Sequence, residues 1–182
     1  MYATRVVIPI RVLALLSCVL LAGGNLFSQV MPAPKEMERI DRFKGNWTGD
    51  GWYVSGKDST YLKFNMKGSE IVAGWGVQLT FGGKMKDGKV YAESDIVSYN
   101  PEKKNISVYC ISNAGEVSRY EGDWADDLKN TLNLTSMGTM DGKETKTQTQ
   151  IIFVNAKKIT WRTVMAIQGG AGPVFEGTLW RK

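Results

Sequence analysis

The stretch Phe43-Lys44-Gly45-Asn46-Trp47-Thr48-Gly49-Asp50-Gly51 decides the fold. It sets a tryptophan two residues after a glycine at the opening of a strand, with further glycines at alternate positions. An inward tryptophan there plugs one end of a small closed β-barrel, and glycines let the first strand bend sharply. Everything that follows reads as antiparallel strand.

Upstream, Lys35 to Phe43 carries Met37, Ile40 and Phe43 at helical spacing, which predicts a short helix capping one barrel end. Downstream, strand-like runs fall at about 46–54, 58–67, 69–81, 88–99, 104–112, 115–124, 130–137, 143–154, 157–166 and 173–181. Asp87-Gly88 and Asp141-Gly142 are two-residue hairpin signals, because both residue types tolerate positive φ. Gly56-Lys57-Asp58, Asn100-Pro101, Asn113-Ala114-Gly115 and Asn155-Ala156 mark further turns. The connections are too short for crossover helices, so pairing is sequential and antiparallel. The fold class expected is therefore all-β, an up-and-down barrel of about ten strands whose closure removes exposed sheet edges. In the third run, Ile71, Ala73, Trp75, Val77, Leu79 and Phe81 alternate onto one face.

The chain has 182 residues, enough for one domain with a substantial core. Residues 1–28 read as an export signal: Arg5 and Arg11 precede an apolar run from Val12 to Ala22, and small residues follow at Gly23, Gly24 and Ser28. The run is too short to span a bilayer, so it is expected to be removed, after Ser28, rather than to anchor the chain. Cleavage after Gly24 is the nearest competitor. Leu15-Leu16-Ser17-Cys18 is a poor lipid-attachment box, since the apolar run continues past Cys18. Residues 29–35 form a linker, and residues 36–182 the barrel domain. A secreted or periplasmic location follows, with no membrane span once the signal is gone.

The formal charge is +5, and losing Arg5 and Arg11 leaves +3. The surplus is scattered over turns such as Lys103-Lys104 and Lys157-Lys158. It forms no basic stripe of the kind nucleic acid requires, so no nucleic-acid partner is expected. With Cys18 removed, Cys110 is the only cysteine left, which excludes an intrachain disulfide. Inside the apolar run Ile106 to Ile111 it reads as a small buried hydrophobe. The chain has no histidine. That excludes Ser-His-Asp and Cys-His catalysis in their usual forms and removes the commonest metal and haem ligand.

With Gly45-x-Trp47, about ten strands and the terminal Gly177-Thr178-Leu179-Trp180-Arg181-Lys182, residues 36–182 resemble the calycin-like barrels. Within them the chain is similar to exported or cytosolic bacterial domains of unknown function related to nitrobindin, and more distantly to the lipocalin and fatty-acid-binding barrels. The resemblance implies a basic side chain stacked on the first tryptophan, here Arg181 on Trp47, as a structural closure of the barrel bottom. Nitrobindin-like proteins hold haem through a histidine, which this chain lacks, so haem is not carried over. Cys110, Met165 or a tyrosine would be the only iron ligands left. No cofactor and no metal are expected.

Glu93 and Asp95 lie two apart on one strand and project from one face. Such a pair does acid–base work only when burial drives the two pKa values apart. Here the sequence favours a solvent-facing polar stripe, with Ala92 and Ile96 turned inward. Asp123, Asp126 and Asp127 lack the spacing of a calcium loop and read as a solvated turn. Asn46-Trp47-Thr48, Asn105-Ile106-Ser107 and Asn133-Leu134-Thr135 match the glycosylation pattern, which Thr- and Asn-rich strands generate readily. Arg119, Arg162 and Glu176 sit mid-strand among apolar residues. Each arginine could place a cation at the lumen wall for a carboxylate head group, or face solvent and pair across strands.

The functional expectation is an extracytoplasmic barrel binding a small apolar or amphipathic ligand in its lumen. Trp75, Tyr109, Trp124 and Trp161 would line the wall, and Arg119 or Arg162 would orient a polar end. Two alternatives stand beside it. One is a non-catalytic interaction module with a packed interior. The other is a barrel isomerase or cyclase, which requires Glu93 or Glu176 to be buried with a raised pKa. Nothing in the sequence fixes the oligomeric state.

Overall fold

The computed structural model describes residues 31–85, 87–113, 115–125 and 130–182. The export signal expected over residues 1–28, and Asp126 and Asp127 of the acidic turn, lie outside them. The chain divides into Met1–Pro32 and Ala33–Lys182, and the second unit is the barrel.

A helical turn, α1 (Met37–Ile40), continues into a 3-10 turn over Asp41–Phe43 and leads into β1 (Gly45–Ser55). The remaining strands are β2 (Asp58–Ile71), β3 (Gly76–Met85), β4 (Val90–Asn100), β5 (Asn105–Ser112), β6 (Val117–Trp124), β7 (Thr131–Met140), β8 (Lys143–Asn155), β9 (Lys158–Ile167) and β10 (Gly170–Arg181). Each pairs antiparallel with its sequence neighbours, and β10 pairs with β1 to close the ten-stranded up-and-down barrel. No sheet edge is left for another chain to extend.

The inward face of every strand follows from burial. Trp47 on β1, Leu62, Phe64 and Met66 on β2, Val77 and Leu79 on β3, Ile106 and Val108 on β5, Leu132 and Leu134 on β7, Phe153 on β8, Ile159 on β9 and Leu179 on β10 are all buried. Met37, Ile40 and Phe43 join them, so the helical turn plugs one end of the barrel as its apolar spacing predicts. That end is sealed by aromatic contact, with the rings of Phe43 and Phe153 4.8 Å apart and those of Trp124 and Phe153 5.8 Å apart. Arg181 Cζ lies 4.6 Å from the Trp47 ring, placed there because the two residues are cross-strand partners at the closure.

Two inward glycines let the wall curve. A Cβ on Gly49 would lie 1.9 Å from the Thr178 carbonyl oxygen, and one on Gly122 would lie 1.8 Å from that of Asn133. Neither strand could run this close to its neighbour with a side chain there.

The third strand needs correction. The run 69–81 is not continuous, because Ile71 pairs with Gly76 and residues 72–75 form the turn between β2 and β3. Val72, Ala73 and Gly74 adopt φ of 51°, 50° and 89°, which reverses the chain. The apolar alternation from Ile71 to Phe81 runs through this turn, and no Asn-Gly or Pro signal punctuates it. Another tight turn, Gln168-Gly169, has φ of 50° and 76° between paired Ile167 and Gly170. Only the glycine hints at it in the sequence.

Candidate functional site

Strand β4 turns its odd-numbered residues inward. Val97 is 2% exposed and Asp95 8% exposed, whereas Ile96 is 43% exposed. The solvent-facing stripe expected for Glu93 and Asp95 is thus reversed: both face the lumen, and Ala92 and Ile96 face out. Either face of β4 offers apolar residues, so composition does not orient it. Pairing with β3 and β5 does. Asp95 lies opposite Leu79 and Cys110, which belong to inner faces.

The register gathers a polar cluster toward the end of the barrel remote from α1. Asp95 faces Cys110, and Glu93 faces Ser112. Cys110 in turn faces Ser118 on β6. The Tyr91 hydroxyl donates a hydrogen bond to Glu93. Glu116, just before β6, accepts from Ser118 Oγ at 2.6 Å and from the Tyr120 hydroxyl at 3.1 Å. Beyond it, Ser136, Thr145 and Thr147 are buried hydroxyls, and Thr149 and Thr163 share a 2.9 Å hydrogen bond. Nearer the closed end the wall is aromatic. Trp161 packs on Phe64 at 4.9 Å and on Phe175 at 5.7 Å.

The cluster gathers three acids with no cation paired to them among the described residues. Among the described residues, no ion pair reaches Glu93, Asp95 or Glu116. Burial, and after it the charge of Glu93, pushes the Asp95 carboxyl up to about 8. Burial raises Glu93 as well, against the opposing hydrogen bond from Tyr91. Burial followed by the nearby carboxylates raises the Cys110 thiol and the Tyr91 and Tyr120 hydroxyls. The common cause is a set of acids withdrawn from water without a cation to offset them.

The residues singled out from the sequence are dispersed. Trp161 lines the inner wall. Trp124 is 8% exposed within the sealed end, and its indole N–H has no hydrogen-bond partner among the described residues. Trp75 belongs to the β2–β3 turn, where its backbone N–H donates to Val72. Tyr109 is 47% exposed on the outer face, under the Arg119 guanidinium at 5.2 Å. Arg119 pairs with Glu121 at 2.6 Å, and Arg162 with Glu176 at 3.3 Å, across the outer surface. Neither arginine lines the lumen. Arg162 borders a shallow outer groove with Asn133, Gln148 and Gln150.

Tyr91, Glu116, Tyr120 and Ser112 belong to the site and were not singled out, and Cys110 sits among acids rather than in a purely apolar setting. The available signal was alternation: Tyr91-x-Glu93-x-Asp95 and Glu116-x-Ser118-x-Tyr120 each present polar groups on one face of a strand.

This geometry defines a closed, ten-stranded, antiparallel up-and-down β-barrel. No protein-family model matches the chain, and no curated protein matches it. Solved structures do match. Rv2717c from M. tuberculosis superposes with a TM-score of 0.64 at 12% identity, covering 82% of this chain and 99% of its own. The S-type phycobiliprotein lyase CPES from Guillardia theta superposes with a TM-score of 0.58 at 11% identity, covering 80% of this chain and 91% of its own. At such identities the likeness is one of fold.

Proposed function

We propose that the barrel binds a small amphipathic molecule in its lumen, with a cationic or donor-rich end toward the acids. One observation carries this: Glu93, Asp95 and Glu116 share the inner wall with Phe64, Trp161 and Phe175, and among the described residues no ion pair balances the acids. Pockets of this kind are mostly apolar, with a few placed polar groups that fix orientation. The calycin-like fold supports the reading by analogy. Arg119 and Arg162 do not supply a lumenal partner for a carboxylate head group, because both form ion pairs on the outer surface.

Two dyes that share one aromatic body and differ in the sign of their charge test the proposal. The cationic dye binds saturably at about one per chain, and the anionic dye binds at least about tenfold more weakly, a difference of about 1.4 kcal/mol. Glu93→Gln and Asp95→Asn each narrow that gap. Equal binding of both dyes, or of neither, overturns the assignment.

The same burial favours a second reading, a lumenal isomerase or cyclase using Glu93 and Asp95 as an acid–base pair. Its mark is chemical change in a bound ligand that stops in Glu93→Gln while binding persists. Glu176 has no such role, since it is exposed and paired with Arg162.

We further assign the chain to the nitrobindin-related domains, on Gly45-x-Trp47 and the basic terminus, and to an extracytoplasmic compartment, on residues 1–28. Export predicts an intact mass beginning at Gln29.

A further inference from the structure

We propose that Glu93, Asp95 and Cys110 form a binding site for a divalent transition-metal ion of zinc-like softness, with a coordination position left open to the lumen. It rests on the reading that the polar end of the lumen takes positive charge, and it names the charge.

The geometry comes from two strands. Residues 93 and 95 share the inner face of β4, and Cys110 lies directly across from Asp95 on β5. One ligand atom from each, two carboxylate oxygens and Sγ, lie within 4.8 Å of one another. Around a tetrahedral ion held at about 2.0–2.3 Å, ligand atoms stand roughly 3.3–3.8 Å apart, so side-chain rotation closes the set. The β-ladder fixes all the Cα positions and needs no movement.

Orphaned polar atoms point the same way independently. Asp95 is 8% exposed, and among the described residues its Oδ1 has no hydrogen-bond partner. Ser112, also 8% exposed and directly across from Glu93, leaves its Oγ without a partner among the described residues. Buried acceptors are almost always satisfied, by protein, water or an ion. Two such atoms in one cluster, one of them a carboxylate oxygen, leave acceptor capacity for a further ligand there. Tyr91 already holds Glu93 by its hydroxyl, the kind of outer contact that orients a ligating carboxylate. A thiolate among the ligands selects zinc-like ions, since calcium and magnesium take oxygen alone. The complete lack of histidine kept this site out of the usual sequence patterns.

The test uses the full chain, freed of any affinity-tag histidines and stripped of metal, with cobalt(II) as the probe. Equilibrium dialysis gives one cobalt per chain, with a thiolate-to-cobalt charge-transfer band that zinc abolishes. Cys110→Ser removes the band, while Cys18, where it is present, is the same in both proteins. Asp95→Asn and Glu93→Gln weaken cobalt at least about tenfold. Circular dichroism and thermal melting of the metal-free variants show that each still folds. Absence of the band in the parent protein, its persistence in Cys110→Ser, or calcium binding as tight as zinc overturns the site. If the cationic dye binds and cobalt does not, the metal site fails and the amphipathic-ligand proposal stands. If neither binds, both fall.

Discussion

Trp47 is 1% exposed, donates its indole N–H to the Phe43 carbonyl at 3.0 Å, and lies beneath Arg181. Arg181 in turn donates to the Arg42 carbonyl at 2.8 Å, so one ring and one cation tie the helical turn, β1 and β10 together. Trp47→Ala costs about 3–5 kcal/mol in urea unfolding, as for other buried large aromatics. Arg181→Ala costs only about 1 kcal/mol, because that side chain is largely in water. The double variant loses less than the sum, since the groups touch. Additive losses would show that the stack is energetically idle. Asp95 makes the opposite kind of contribution. Its carboxyl moves from 3.8 in the unfolded chain to about 8 in the barrel, so between those values the folded state keeps a proton that the unfolded state releases. Its contribution to stability is therefore fully present below about pH 4 and is lost as pH rises toward 8. Glu93, also raised, acts in the same direction. Asp95→Asn flattens the profile and is more stable than the parent at pH 8 by at least about 1.4 kcal/mol, the worth of one pKa unit. A parent profile that climbs from pH 4 to 8 would show Asp95 to be ionised and paired.

Among the described turns, the β2–β3 turn sets a β-branched residue at positive φ. Val72 is β-branched, 74% exposed, and held at φ 51°. A left-handed conformation costs a non-glycine residue about 1–2 kcal/mol, and Asn bears it better than Val. Val72→Asn therefore stabilises the barrel by about 1 kcal/mol in thermal or urea unfolding, and a loss would mean that Val72 makes a contact worth more than its strain. The Asp141-Gly142 turn shows the contrast. Its φ values of 50° and 74° fall on residue types that suit them, which is why this hairpin was legible in the sequence and the Val72 turn was not. The same logic explains β4. Period-two alternation separates two faces of a strand but does not say which is inside, and Tyr91, Val97 and Tyr99 on one face balance Ala92 and Ile96 on the other.

At the scale of the whole molecule, a lumen with unbalanced acids couples ligand binding to folding. A cationic amphiphile present at about 100 times its dissociation constant adds about 2.7 kcal/mol, because it binds only the closed barrel. That raises the melting temperature by several degrees, while an anionic analogue leaves it unchanged; equal shifts would mean that charge does not select the ligand. The sequence by itself determined most of the strands and turns, the helical plug and the exclusion of histidine chemistry. Each of these depends on local patterning: period-two alternation, turn residues that tolerate positive φ, apolar spacing in a helical turn, or the composition itself. Only the tertiary structure decided that Glu93 and Asp95 face inward while Arg119 and Arg162 face outward. Their sidedness is set by which neighbours each strand pairs with around a closed ring, and a strand with apolar residues on both faces does not encode it alone. The polarity of the lumen, and with it the charge of what it holds, is a property of that ring.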